Sequence, residues 1–287
     1  MYLASDHGHH EPAPYVPTIT PDIIDIFLWG ALPYVAMFVF IGGTIWRYRV
    51  DQFGWTTRSS QIYESKILKW ASPAFHYGMV GVFGGHVVGL LVPKFLTDFV
   101  ITDHFYHIMA LSAGSVAACA VLAGLVALVW RRLKVPNVWA ATTQNDKFMY
   151  IVLIFVLLAG TAATVLSAVA PSEFHTTGEE FNYRESISIW FRSLFYFHPE
   201  VAYMVEVPLS FKIHIVSALC LFIIWPFTRL VHALSLPLHY LFRPYTVYRS
   251  RRGERVNTRR GWDQVWVNKS LIGDDNDQTI HKHKSFS

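Results

Sequence analysis

Two cysteines are all that this 287-residue chain contains, Cys119 and Cys220, and neither belongs to a CxxC pair. An iron–sulfur cluster takes about four thiolates, so this chain holds none by itself. Charge is also scarce. Asp, Glu, Lys and Arg make up 15% of the residues, where a soluble domain carries about a quarter. Hydrophobic residues reach 53%, aromatics 16%, and mean hydropathy is +0.31. A large water-soluble core is excluded. No Lys or Arg precedes Arg47, so the chain lacks the basic start of a signal peptide and no cleaved targeting segment is expected.

What the chain does have is long apolar runs. Five of them, Ile23 to Trp46, Ala74 to Val92, Ile108 to Trp130, Phe148 to Ala170 and Phe211 to Val231, approach or exceed the roughly 20 residues that cross a hydrocarbon core about 30 Å thick. The expected fold is all-α, a polytopic membrane protein with five transmembrane helices in a bundle. Residues 1–21 form a Pro- and His-containing N-terminal segment, 22–233 the membrane domain and 234–287 a basic tail. His7, His9 and His10 fall in the first of these, where a Pro-rich terminus is expected to be solvated and without a fixed metal site.

Lys and Arg set the orientation, because cytoplasmic loops carry the positive excess. The first connection holds Arg47, Arg49, Arg58, Lys66 and Lys69, the third holds Arg131, Arg132, Lys134 and Lys147, and eleven more follow from Arg229 onward. The second connection has only Lys94, and the fourth has Arg184 and Arg192, with Lys212 at the entrance to the fifth run. The N-terminus is therefore expected outside and the C-terminus in the cytoplasm. This asymmetry accounts for the formal net charge of +4 without a nucleic-acid partner. The arginines at 249, 251, 252, 255, 259 and 260 suit anionic membrane lipid or a cytoplasmic protein.

Four histidines, His76, His86, His214 and His232, lie within or at the edge of the second and fifth runs. An ionisable group at membrane depth costs roughly 2.5 kcal/mol or more when charged, so each is a functional candidate. For any one alone, a hydrogen bond between helices is an equal explanation. The set is more informative. His76 and His86 are separated by roughly 15 Å of helix, and His214 and His232 by five turns, roughly 27 Å. The second and fifth helices run antiparallel, so His76 should meet His232 near the cytoplasmic face and His86 should meet His214 nearer the outside. Two stacked bis-histidine sites follow, with helix tilt absorbing the mismatch in height and with room for two porphyrins. Bis-imidazole ligation closes both faces of a haem iron to oxygen and favours electron transfer. Gly78, Gly81, Gly85 and Gly89 give the second run a ridge of low bulk, suited to a flat macrocycle or to a small-residue helix contact.

The segments Ala74-Phe75-His76-Tyr77-Gly78, Gly85-His86, Arg131-Arg132-Leu133, Ala141-Thr142-Thr143 and Pro226-Phe227-Thr228-Arg229-Leu230-Val231-His232, with Ser235-Leu236-Pro237, resemble the gamma subunits of respiratory nitrate reductases. The likeness extends from about Ile23 to Arg252. It implies a cell-membrane subunit of a prokaryote carrying two haem b groups, His86 and His214 being axial ligands of the outer distal haem and His76 and His232 of the inner proximal one. Quinol would be oxidised near the outer haem with protons released outside. Electrons would cross to a cytoplasmic iron–sulfur beta subunit and on to a molybdenum-containing alpha subunit that reduces nitrate.

Members of that family carry a lysine just before the third span, where this chain reads His104-Phe105-Tyr106-His107. The expectation here is that Tyr106 or His107 hydrogen-bonds the quinol and takes its proton; interfacial anchoring is the plainer use of both. Ile187, Trp190, Phe191, Leu194 and Phe195 form a helical stripe, either roofing the quinol pocket or docking on other helices. Glu173, Glu179, Glu180 and Glu185 are expected to form a solvated face, with proton exit as the sharper alternative. His175, His198, His239, His281 and His283 receive no site. Two other functions fit the same runs: the di-haem anchor of a formate dehydrogenase or hydrogenase, and a haem-free transporter or anchor using the histidines as a proton relay.

Overall fold

The computed structural model describes residues 15–51, 54–55, 60–99, 101–172 and 181–235. The histidines at 7, 9 and 10, the acidic residues at 173, 179 and 180, His175, and the tail arginines and histidines beyond Ser235 lie outside the described residues.

The described residues are helical, with no strand. Five helices are long and apolar enough to cross a membrane, and the protein is a multi-pass membrane protein. We label them α1 (Ile23–Val50), α2 (Leu68–Leu91), α3 (Asp103–Lys134), α4 (Gln144–Val169) and α5 (Leu209–Ile224). Their termini follow the polar and proline residues that flank each run. Asp22 caps α1 and is capped in return by Asp25. Thr143 and Asp146 form the same reciprocal box at the start of α4, satisfying amides that would otherwise face hydrocarbon. Pro93 follows α2, and Pro208 precedes α5.

Packing divides the bundle. α2 lies against α3, and α5 lies against α4 and α1, while α2 and α5 make no extended backbone contact. The α2–α3 seam is built on glycine. A Cβ on Gly124 would stand 2.5 Å from the Phe75 nitrogen, and one on Gly78 would stand 2.8 Å from Val121, so these backbones meet at a distance that only glycine allows. On the other side Leu153, Val156 and Leu221 form the α4–α5 contact, and Phe40 of α1 meets Phe222 and Trp225 edge-on.

The fifth span departs from expectation. A straight helix from His214 to His232 would need an N–H at position 226 and finds Pro226 instead. The α-helix ends at Ile224. A 3₁₀ turn, Trp225–Phe227, follows, then Thr228 in an extended conformation, then a second 3₁₀ segment, Arg229–Ser235. A count of five regular α-helical turns between the two histidines therefore does not describe this span.

Beyond His86, α2 loosens into a π-helical turn, Val87–Leu91. At that end of the bundle a short helix, Ile187–Ser193, docks by its apolar side. Ile187 and Trp190 are buried with Trp29, Met204 and Val207, and the Trp190 indole donates to the Trp29 carbonyl at 2.8 Å. Of the two uses open to the stripe, docking is the one observed for these two residues; Phe195 stays exposed. Glu185, half-buried, accepts from Lys94 Nζ at 2.9 Å and from Asn182. Arg131 is buried and clasps Glu64 and Ser60 of the α1–α2 connection.

Candidate functional site

The four intramembrane histidines meet in two pairs. The ring centres of His76 and His232 are 6.2 Å apart with planes at 65°, and those of His86 and His214 are 6.0 Å apart at 49°. Each pair joins α2 to the fifth span across the space where the two backbones stay apart. His76 and His86 are exposed to that space, and His214 and His232 are half-buried.

In every case Nδ1 faces a main-chain carbonyl. The partners are Ser72 for His76 at 2.7 Å, Val82 for His86 at 2.8 Å, Val156 for His214 at 3.2 Å and Arg229 for His232 at 2.5 Å. A carbonyl only accepts, so Nδ1 donates in each of these bonds and Nε2 is the ring nitrogen left for a metal. This is the arrangement that orients a metal-ligating histidine and raises its basicity.

The dimensions fit one metal ion per pair. Imidazole nitrogens ligate transition metals at roughly 2.0 Å, which places two rings on opposite sides of one ion with centres roughly 6 Å apart. Among the described residues no group of three or more His, Cys, Asp or Glu could hold a metal. A protein-only tetrahedral site is therefore not what these pairs make. Two facing imidazoles suit an ion whose other donors come from a macrocycle, and haem b would fit that donor set.

Space for the rings is also built in. A Cβ on Gly160 of α4 would stand 2.7 Å from Cε1 of His214, so only glycine admits the imidazole there. The glycine ridge of α2 divides in use. Gly78 and Gly81 serve the contact with α3, Gly89 is approached by Tyr183, and Gly85, beside His86, has nothing within 4 Å of its missing Cβ. Gly85 therefore leaves open space beside His86.

Tyr106 and His107 sit at the start of α3, at the His86 end of the bundle. Tyr106 is buried, hydrogen-bonded to Tyr183 and covered by the Arg184 guanidinium 4.1 Å from its ring centre; His107 is exposed. Tyr183 in turn lies against Gly89, one turn beyond His86. Burial first, and then the Tyr106 hydrogen bond, hold the Tyr183 phenol well above its ordinary pKa, so it stays protonated as a donor.

Residues that the sequence did not single out surround the His232 end. Arg47 donates to the carbonyls of Pro226 and Thr228, Asn145 to that of Phe227, and Asp146 grips Arg229 through both carboxylate oxygens. The pattern Thr143-x-x-Asp146 ahead of an apolar run was the available signal for one of them.

Residues 25–251 match the family described as nitrate reductase gamma subunit. The nitrate reductase-like protein NarX of Mycobacterium tuberculosis is 46% identical over 87% of this chain. The chain spans only 38% of that relative's length. The nitrate reductase gamma chain of Bacillus subtilis is 44% identical over 78% of this chain and 97% of its own. The respiratory nitrate reductase 1 gamma chain of Escherichia coli is 34% identical over 79% of this chain and 98% of its own.

Proposed function

This chain belongs to the nitrate reductase gamma subunit family, and from that premise we propose that it is the membrane subunit of a respiratory nitrate reductase, oxidising quinol at one face and delivering electrons to partner subunits at the other. The observation that carries this reading is the pair of facing imidazole couples, each with Nδ1 bonded to a carbonyl and Nε2 left for a metal. Two haem b groups, when bound, supply one-electron carriers at two depths with iron closed to oxygen. His76 and His232 hold the inner one, and His86 and His214 hold the outer one.

The chain's own residues account for the rest. Tyr106 and His107 stand at the His86 end, where the exposed His107 imidazole can accept a quinol proton. Arg131, Arg132, Lys134 and Lys147 mark the opposite face as cytoplasmic by the positive-inside rule. There an iron–sulfur subunit would collect electrons for a molybdenum subunit that reduces nitrate. The five apolar helices anchor the assembly.

The test is isolation of the complex in mild detergent through a tag on this chain, followed by assay with a reduced quinol analogue. We expect co-purifying molybdenum and iron–sulfur subunits and quinol-dependent reduction of nitrate. Recovery with a formate dehydrogenase or hydrogenase, and reduction of quinone by formate or hydrogen, would replace this reading with the related anchor function.

A further inference from the structure

The break after Ile224 takes main-chain carbonyls out of the regular α-helical hydrogen-bond pattern, and the donors found there are specific. Nη1 of Arg47, from α1, donates to Pro226 O at 2.7 Å and to Thr228 O at 2.8 Å. Asn145 Nδ2, from α4, donates to Phe227 O at 2.7 Å. The Arg229 carbonyl accepts from His232 Nδ1 at 2.5 Å. The Arg229 side chain is itself fixed: Nε donates to Asp146 Oδ1 at 2.7 Å and Nη2 to Oδ2. Asp146 is immobilised by accepting the Thr143 amide within the α4 capping box. Pro226 is seated on Gly43 of α1, where a Cβ would come within 3.0 Å of its ring. Four consecutive carbonyls, 226 to 229, are thus each assigned a side-chain donor, and the last donor is a proposed ligand.

Resting on the reading that His76 and His232 ligate the inner haem, we infer that Arg47, Asn145 and Asp146 form a positioning clamp for that one site. Acting through Pro226–Arg229, the clamp fixes the rotation of the His232 ring about its bond to the metal. The ring N–H must lie in the ring plane and point at the Arg229 oxygen, so whatever fixes that oxygen fixes the plane. The clamp holds it from both sides, through Thr228 O and through the Arg229 guanidinium. The angle between two axial imidazole planes governs the splitting of the iron d orbitals and so the low-spin g values. The strength of the Nδ1–H bond governs Nε2 basicity and so the potential. The His86–His214 pair has no counterpart, because its carbonyl partners Val82 and Val156 lie within unbroken helices.

The experiment compares the purified wild-type complex with Asp146→Asn, Asn145→Ala and Asp146→Glu, by electron paramagnetic resonance and redox titration of the haems. Asp146→Asn should retain two haems, move the largest g value and the midpoint potential of the inner haem, and leave the outer haem unchanged. Asn145→Ala, which removes one hydrogen bond without stranding a charge, should produce a smaller change confined to the same haem, and Asp146→Glu should return it towards wild type. If Asp146→Asn loses both haems through misfolding, Asn145→Ala decides. Wild-type g values and potentials in the variants that fold, or equal shifts at both haems, would overturn the clamp. A wild-type complex without low-spin haem signals would instead overturn the ligand assignment on which the clamp rests.

Discussion

Gly160 and His107 are two single positions at which the site can be probed without touching a proposed ligand. The Gly160→Val variant places a side chain where His214 Cε1 stands 2.7 Å from a missing Cβ. Overpacking of this kind costs about 1–3 kcal/mol, and the imidazole is the group that must move. We expect loss of the outer haem with the inner one retained, read from the visible spectrum of the purified subunit. For His107, exposed at the start of α3, the phenylalanine variant should slow quinol oxidation and weaken binding of quinol-site inhibitors while leaving both haems in place. Unchanged rate and inhibitor affinity would remove His107 from the quinol site. The histidines themselves were legible in the sequence because imidazoles in apolar runs have few uses. Gly160 was not, since a glycine in an apolar helix carries no mark of the ring it accommodates.

Among the elements, the fifth span carries the clearest lesson. Its apolar run was legible, and so was the antiparallel pairing that brings His76 to His232 and His86 to His214, because both follow from counting crossings and residues. The shape between His214 and His232 was not. Pro226 announces a missing N–H, but whether the chain kinks, stops or continues as 3₁₀ depends on donors from α1 and α4, far away in the sequence. Restoring that N–H tests the point. In Pro226→Ala the α-helix can run on past Ile224, turning His232 away from His76, and we expect the inner haem to be lost or converted to a high-spin, single-ligand form while the outer spectrum persists. The α2–α3 seam was legible only in part. The small-residue spacing on α2 was visible, whereas its partners Ala117, Val121 and Gly124 on α3 were selected by packing depth and not by pattern.

For the whole molecule, five spans, an apolar exterior and charged ends were readable from composition, because bilayer thickness fixes element length. Orientation rests on the Lys and Arg asymmetry and has a direct check. With the two native cysteines replaced, Asn137→Cys, in the connection from α3 to α4, should resist a membrane-impermeant maleimide in intact cells, whereas His198→Cys, in the connection from α4 to α5, should react.

The central claim is that two histidine couples hold two haems at separate depths. A reduced-minus-oxidised visible spectrum of wild type beside His86→Ala and His232→Ala tests it most directly. The account predicts that each variant loses one of the two b-type haems, the outer in His86→Ala and the inner in His232→Ala. A wild-type subunit without b-type absorbance, or variants that keep both haems, would contradict it.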